Sequence, residues 1–151
     1  GLLEQTFPHE RMHIMLSFEE REGPEAIEKS EQLKQKYGQR FGDLWTTLHP
    51  DIEGEVKGKS SNTAWGAKQA KQALVDKGSI DIDYTTITSE DADVIFDPQY
   101  FAALAYEFLS SPKRYNRIWQ GSIRFYNNIW KVPAPIRVLA SIFSISSVSM
   151  Q

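Results

Sequence analysis

The chain has no cysteine, so neither a disulfide framework nor a thiolate metal site is possible, and its compartment cannot be read from redox chemistry. Histidine is scarce as well. His9, His13 and His49 stand apart, none with a partner at helical i, i+4 spacing, which argues against a zinc centre built on imidazoles. No uninterrupted apolar run approaches membrane-spanning length, and no basic-then-apolar signal segment opens the chain. The first residue is Gly1 rather than methionine, so an excised or processed piece is expected. The phosphate-binding pattern G-x-x-x-x-G-K-[ST] is missing, which excludes a Walker A loop. The most one-sided absence is of negative charge, because no acid follows Ser110.

What is present is the composition of one ordinary soluble domain: 151 residues, 40% hydrophobic and 25% charged, enough apolar surface for a core. The net charge of −3 conceals a division. All twenty acids fall before Ser111 with eleven of the seventeen Lys and Arg, a balance of −9. Lys113, Arg114, Arg117, Arg124, Lys131 and Arg137 then make the tail +6, interleaved with Tyr115, Trp119, Phe125, Tyr126 and Trp130. Such a segment calls for an anionic neighbour: a phosphate ligand, an anionic membrane surface, nucleic acid, or the acidic remainder of the same domain.

The organising stretch runs from Tyr84 to Phe96. Tyr84 to Thr88 is β-branched or aromatic throughout, as expected of a strand covered on both faces, and Asp91 and Asp93 follow where that strand would leave the sheet. In open α/β sheets that edge is where ligands bind. Two carboxylates there repel each other unless a hard divalent ion sits between them and a polyphosphate. Asp81-Ile82-Asp83 is a second D-x-D, but it precedes the strand and would lie at the opposite edge.

The rest of the chain supplies a frame. Met12 to Phe18 reads as a short strand followed by an acidic loop, Glu19-Glu20-Arg21-Glu22, which would face a ligand. Pro24 to Tyr37 reads as an amphipathic helix with Gly38 at its C-cap. Leu44 to Leu48 is a second strand candidate. Lys57-Gly58-Lys59-Ser60-Ser61-Asn62 opens a helix expected from about Thr63 to Lys77, stopping at Gly78. A lysine beside a Ser-Ser-Asn helix start is a natural anion cradle, although plain N-capping by Ser61 or Asn62 would use the same residues. Asp97 and Pro98 start the next helix, Ile118 to Tyr126 alternates as a fourth strand, and Ile136 to Ile145 is an amphipathic helix rimmed by Arg137. Successive β-then-α units predict a single α/β domain over 1–151 with a mainly parallel, three-layer sheet.

This order, with Lys59-Ser60-Ser61-Asn62 similar to a K-A-G-N helix start and Ser89-Glu90-Asp91-Ala92-Asp93 similar to a D-A-D motif followed by Phe96-x-Pro98-x-Tyr100, resembles the nucleotide-binding half of a family-two glycosyltransferase. That group has the GT-A fold, a Rossmann-like layering, and includes cellulose, chitin and hyaluronan synthases. The resemblance implies an inverting, metal-dependent transfer from a UDP- or GDP-sugar to a glycan or lipid acceptor, with no nucleic-acid partner. It implies that Asp91 and Asp93 hold Mg²⁺ or Mn²⁺ on the donor diphosphate, and that Lys59, Asn62, Asp91 and Glu19 contact the nucleotide. It also implies a cytoplasmic position at a membrane face, with residues 111–145 as a surface contact and the piece itself soluble. Two features depart from the family: the P-x-x-N-E pattern after the first strand is replaced by Ser17 to Glu22, and the catalytic E-D and Q-x-x-R-W segments are missing. Hence no catalytic residue is expected within this chain. The rivals are a haloacid-dehalogenase-like phosphotransferase, suggested by Asp91-Ala92-Asp93-Val94-Ile95 but left with only Asp97 and Glu107 as later acids, and a nucleotide-binding module without turnover.

Overall fold

A computed structural model describes residues 1–125 and 129–149. The chain forms two compact units, Gly1–Ser110 and Ser111–Gln151. Their boundary coincides with the point where acidic residues stop.

The first unit is mixed α/β. Strands β1 (His13–Glu19) and β2 (Asp43–His49) pair in parallel, with His13 opposite Asp43 and Glu19 opposite His49. A parallel pair needs a crossover, and helix α1 (Pro24–Tyr37) supplies it. Proline at its first position costs no hydrogen bond there. Helix α2 (Lys59–Ala70) follows β2 and continues through a π turn over Lys71–Val75. Gly78, at φ +69°, then stops it, with the amides of Ser79 and Ile80 bonding back to Leu74 O. Met12, Ala26, Leu44, Leu74 and Phe108 are buried as the core.

Two features fix α2 against the sheet. At Gly66 a Cβ would lie 2.6 Å from Met15 Cε and 2.8 Å from Ser17 Oγ, so a side chain there would require helix, strand or these two side chains to shift. Gly58, at φ +145°, turns the chain into the helix through backbone that L-residues avoid. Because Gly58 makes that turn, the helix begins at Lys59 instead of Thr63, and Ser60, Ser61 and Asn62 lie inside its first turn.

Helix α3 (Tyr100–Ser110) begins later than the Asp97-Pro98 pair predicts, because Pro98 and Gln99 form a turn in which the Asp97 carboxylate accepts from Gln99 N at 2.9 Å and Tyr100 N donates to Asp97 O at 3.0 Å. The buried Gln5 side chain ties the N-terminal segment to it, donating to Asp97 O at 2.7 Å and accepting from Phe101 N at 3.3 Å.

The strand expected over Tyr84–Thr88 does not form. Ile82–Tyr84 is a 3₁₀ turn in which Asp81 accepts from Asp83 N at 3.0 Å and from Thr85 Oγ1 at 2.6 Å, and the following segment carries no ladder. Ile87 is 85% exposed, the opposite of a strand covered on both faces. β-branched composition favours a pleated chain only when a neighbouring edge is available to pair with it. Ile118 to Phe125 is likewise without a strand, and Tyr126, the last residue of that expectation, lies outside the described residues.

The second unit holds helix α4 (Ala134–Ser149), and its faces are reversed from the usual arrangement. Ser144 is buried: its Oγ accepts from Phe125 N at 3.2 Å and donates to Ala140 O at 2.8 Å, while Ser147 Oγ donates to Ile123 O at 2.9 Å. The extended segment therefore packs on the serine side, and Val138, Leu139, Ile142, Phe143 and Ile145 are left exposed. Among the described residues no helix is long and apolar enough to cross a membrane.

Candidate functional site

A shallow depression of about 20 Å³ opens at the C-terminal ends of β1 and β2, lined by Glu19, Arg21, His49, Asp51, Lys57 and Ser61 among others. Parallel strands end there with free backbone groups, which is why ligands favour this edge. The floor is ordered by aromatic packing: His49, buried, stacks on Trp65 of α2 with centroids 5.2 Å apart. Its Nε2 lies 3.1 Å from Glu55 Oε2, near enough for attraction once protonated but without hydrogen-bond alignment.

The charged rim is internally paired. Arg21 Nε donates to Glu19 Oε2 at 2.6 Å, Lys57 Nζ meets Asp51 Oδ2 at 2.7 Å, and Asp51 N donates to Glu20 Oε2 at 3.1 Å. Glu19, the predicted nucleotide contact, thus lines the depression with its carboxylate engaged by Arg21. The Glu20 bridge joins the loop after β1 to the loop after β2, a contact that sequence spacing does not announce.

Above this rim stands the N-terminus of α2. Neither Ser61 nor Asn62 caps it. Ser61 Oγ donates to Gly58 O at 2.9 Å, and Asn62 Nδ2 reaches down to Ser17 O of β1 at 3.4 Å. The first-turn N–H groups therefore receive no side-chain cap, which leaves the positive end of the helix dipole available to an anion. Asn62 Oδ1 is buried without a hydrogen-bond partner.

Lys59 and Asp91 meet. Lys59 Nζ lies 2.7 Å from Asp91 Oδ1, with side chains 63% and 65% exposed. The hydrogen bond to Asp91 raises the Lys59 pKa above its ordinary value, against a smaller opposing effect of desolvation. Asp91 and Asp93 share one turn, closed by Val94 N donating to Asp91 O at 3.2 Å. Lys59, far off in sequence, thus supplies a cation to this carboxylate turn. Behind the turn, Phe96 packs on Tyr100 at 4.9 Å and on Phe101 at 5.0 Å, anchoring it to α3. Burial raises the Tyr100 phenol above its ordinary value, and the Glu90 carboxylate acts in the same direction.

A metal set must be judged by its donors. Among the described residues no three His, Asp or Glu side chains converge to hold an ion. Asp91 and Asp93 offer hard, exposed oxygens that suit Mg²⁺ or Mn²⁺, and two carboxylates leave an octahedral ion needing further oxygens from a phosphate and water. The residues fit an ion shared with a diphosphate. The Asp81 carboxylate, by contrast, is engaged in the 3₁₀ turn, where it accepts from Asp83 N.

The sequence of this chain matches no known family profile, no curated protein and no solved structure.

Proposed function

We propose that this chain is the donor-binding half of a GT-A, family-two-like glycosyltransferase, taking a UDP- or GDP-sugar with Mg²⁺ or Mn²⁺ and serving an inverting transfer to a glycan or lipid acceptor. The observation that carries the reading is the 2.7 Å pairing of Lys59 with Asp91. It draws the helix start and the D-x-D turn together beside a shallow depression at the strand ends, and Lys57 and Ser61, which line that depression, flank Lys59 in sequence.

Each group then has a task. Asp91 and Asp93 would hold the ion. Lys59 and the N–H groups of the first turn of α2 bind diphosphate oxygens. Asn62 fixes the height of that turn over β1. The nucleoside would lie over the loops after β1 and β2, where Glu19 lines only a shallow depression. When bound, a divalent ion supplies charge stabilisation to the departing diphosphate. A transfer also needs a base for the acceptor hydroxyl, and neither later acid serves: Asp97 is engaged in the turn that leads into α3 and Glu107 lies near the far end of that helix.

Calorimetry with UDP and GDP, with and without Mn²⁺, tests this. Asp93→Asn should abolish the metal dependence of nucleotide binding, and Asp83→Asn should leave it intact. Equal effects from both would sink the assignment.

A second reading concerns the second unit. The outward apolar face of α4 beside a segment with six cations and no acid fits an anionic lipid surface, such as the cytoplasmic face of a membrane. Trp130, 83% exposed, and Arg137, 5.7 Å from its ring, would sit at the headgroup level. Flotation with phosphatidylserine vesicles should show binding that weakens in the Lys131→Glu/Arg137→Glu variant. No flotation at physiological salt, or flotation indifferent to these charges, refutes it.

A further inference from the structure

We propose that Lys59 is a place-holding cation on Asp91, so that the D-x-D turn admits a divalent ion only as an incoming diphosphate draws the lysine away. The proposal rests on the donor-binding reading and specifies how that site is regulated.

The geometry imposes a competition. Lys59 Nζ occupies Asp91 Oδ1 at 2.7 Å, the oxygen an ion would need. Both side chains are about two-thirds solvent-accessible, at 63% and 65%, and an ion pair so exposed is easily exchanged. An ion arriving alone must share the carboxylate with an ammonium at about 4 Å, where like charges repel. Beside Asp91 it finds only the exposed carboxylates of Glu90 and Asp93.

A diphosphate changes both terms together. Its oxygens offer Lys59 a replacement anion at the uncapped first turn of α2, and they complete the coordination that two carboxylates leave unfinished. Lysine moves from carboxylate to phosphate while the carboxylate moves from lysine to the ion. Glu90, Asp91, Asp93 and Lys59 together carry −2, so adding the ion alone neutralises the cluster, whereas adding it with a doubly charged nucleoside diphosphate-sugar restores −2. Lys59 is thus a positioning residue that makes metal and donor binding interdependent.

The test is Mn²⁺ binding followed by electron paramagnetic resonance of the free ion, using the whole chain as wild type, Lys59→Met, Lys59→Arg and Asp91→Asn, each alone and with UDP or GDP. Circular dichroism checks that each variant folds. Wild type should bind Mn²⁺ weakly alone and well with nucleotide. Lys59→Met should bind the ion alone at least about tenfold more tightly than wild type, the repulsion of one ammonium after screening by salt, and should lose much of the nucleotide enhancement. Lys59→Arg should restore the wild-type pattern, and Asp91→Asn should bind under neither condition. Wild type that takes Mn²⁺ with nucleotide, together with Lys59→Met no tighter for Mn²⁺ alone, overturns the place-holding role and leaves the donor reading standing. Wild type that binds neither nucleotide with Mn²⁺ overturns the donor reading, and the exchange with it.

Discussion

Replacing Gly66 by alanine sets two effects of known size against each other. In an unconstrained helix the change stabilises by about 1 kcal/mol, because alanine loses less backbone entropy. Here the new Cβ would stand 2.6 Å from Met15 Cε and 2.8 Å from Ser17 Oγ. Ordinary contacts between carbon atoms lie near 3.5–4.0 Å, so α2 and β1 must separate by about 1 Å or both side chains must move. The Met15 methyl is the end of a flexible chain and yields readily. Ser17 is shorter, pairs with Thr47 at 3.4 Å, and carries the carbonyl that receives Asn62, so its displacement loosens the helix start as well. Overpacking of this kind costs about 1–3 kcal/mol, which outweighs the propensity gain and leaves a net loss of about 1 kcal/mol. Urea titration followed by far-ultraviolet circular dichroism should show a lower midpoint with an unchanged slope. Adding Met15→Ala should recover part of the difference in a double-mutant cycle, because the two residues touch. If Gly66→Ala alone raises the midpoint, the close approach is refuted, and with it the account of how α2 is held over the strand.

Alkaline pH should weaken the fold. The folded state raises the pKa of Lys59, ordinarily 10.5, through its bond to Asp91, and that of Tyr100, ordinarily 10.0, through burial. A raised value favours the protonated form in the folded state, so this stability is present below pH 10 and lost as pH climbs past it. A urea midpoint that does not fall above pH 10, or a fall unchanged in Tyr100→Phe, would contradict this. Gln5→Ala removes a buried bridge to Asp97 O and Phe101 N and should cost about 1–3 kcal/mol, with faster hydrogen exchange at the start of α3; unaltered exchange there defeats the bridge. Finally, the 151-residue chain should bind donor without transferring sugar, and radiolabelled transfer to glycan, lipid or water well above buffer would reveal a base that has been misjudged.

What the sequence reveals are the features fixed by short-range chemistry. The strand predicted over Met12–Phe18 is found at His13–Glu19, and the one over Leu44–Leu48 at Asp43–His49. Helix α1 has its predicted ends, and Asp97 caps the turn that leads into α3. Features that depend on a distant partner are not legible. Nothing local pairs Lys59 with Asp91, or Glu20 with the amide of Asp51. The apolar spacing of α4 reads as a core-facing stripe, yet the buried side is chosen by Ser144 and Ser147, whose hydroxyls bind the backbone of Phe125 and Ile123. A hydrophobic pattern records that a face is apolar; what covers it is decided elsewhere.

The same distinction bears on the candidate site, because the D-x-D turn is delivered without the strand that the sequence implies. Its two ends are held differently. Upstream, Tyr84 to Ser89 is largely exposed, with Thr88 hydrogen-bonded to the Tyr100 phenol. Downstream, Phe96 is clasped by Tyr100 and Phe101, and Asp97 is held by Gln5. Position is thus imposed on Asp91 from the α3 side and from Lys59, and the first of these supports traces back to the N-terminal segment through Gln5 and Thr6, whose amide donates to Pro98 O at 2.8 Å. A turn anchored at its downstream end and joined to α2 through an exposed ion pair on Asp91 can exchange that pair while the aromatic clasp stays in place. Rigid support on one side and an exchangeable contact on the other is what a site needs if it must bind two oppositely charged ligands together.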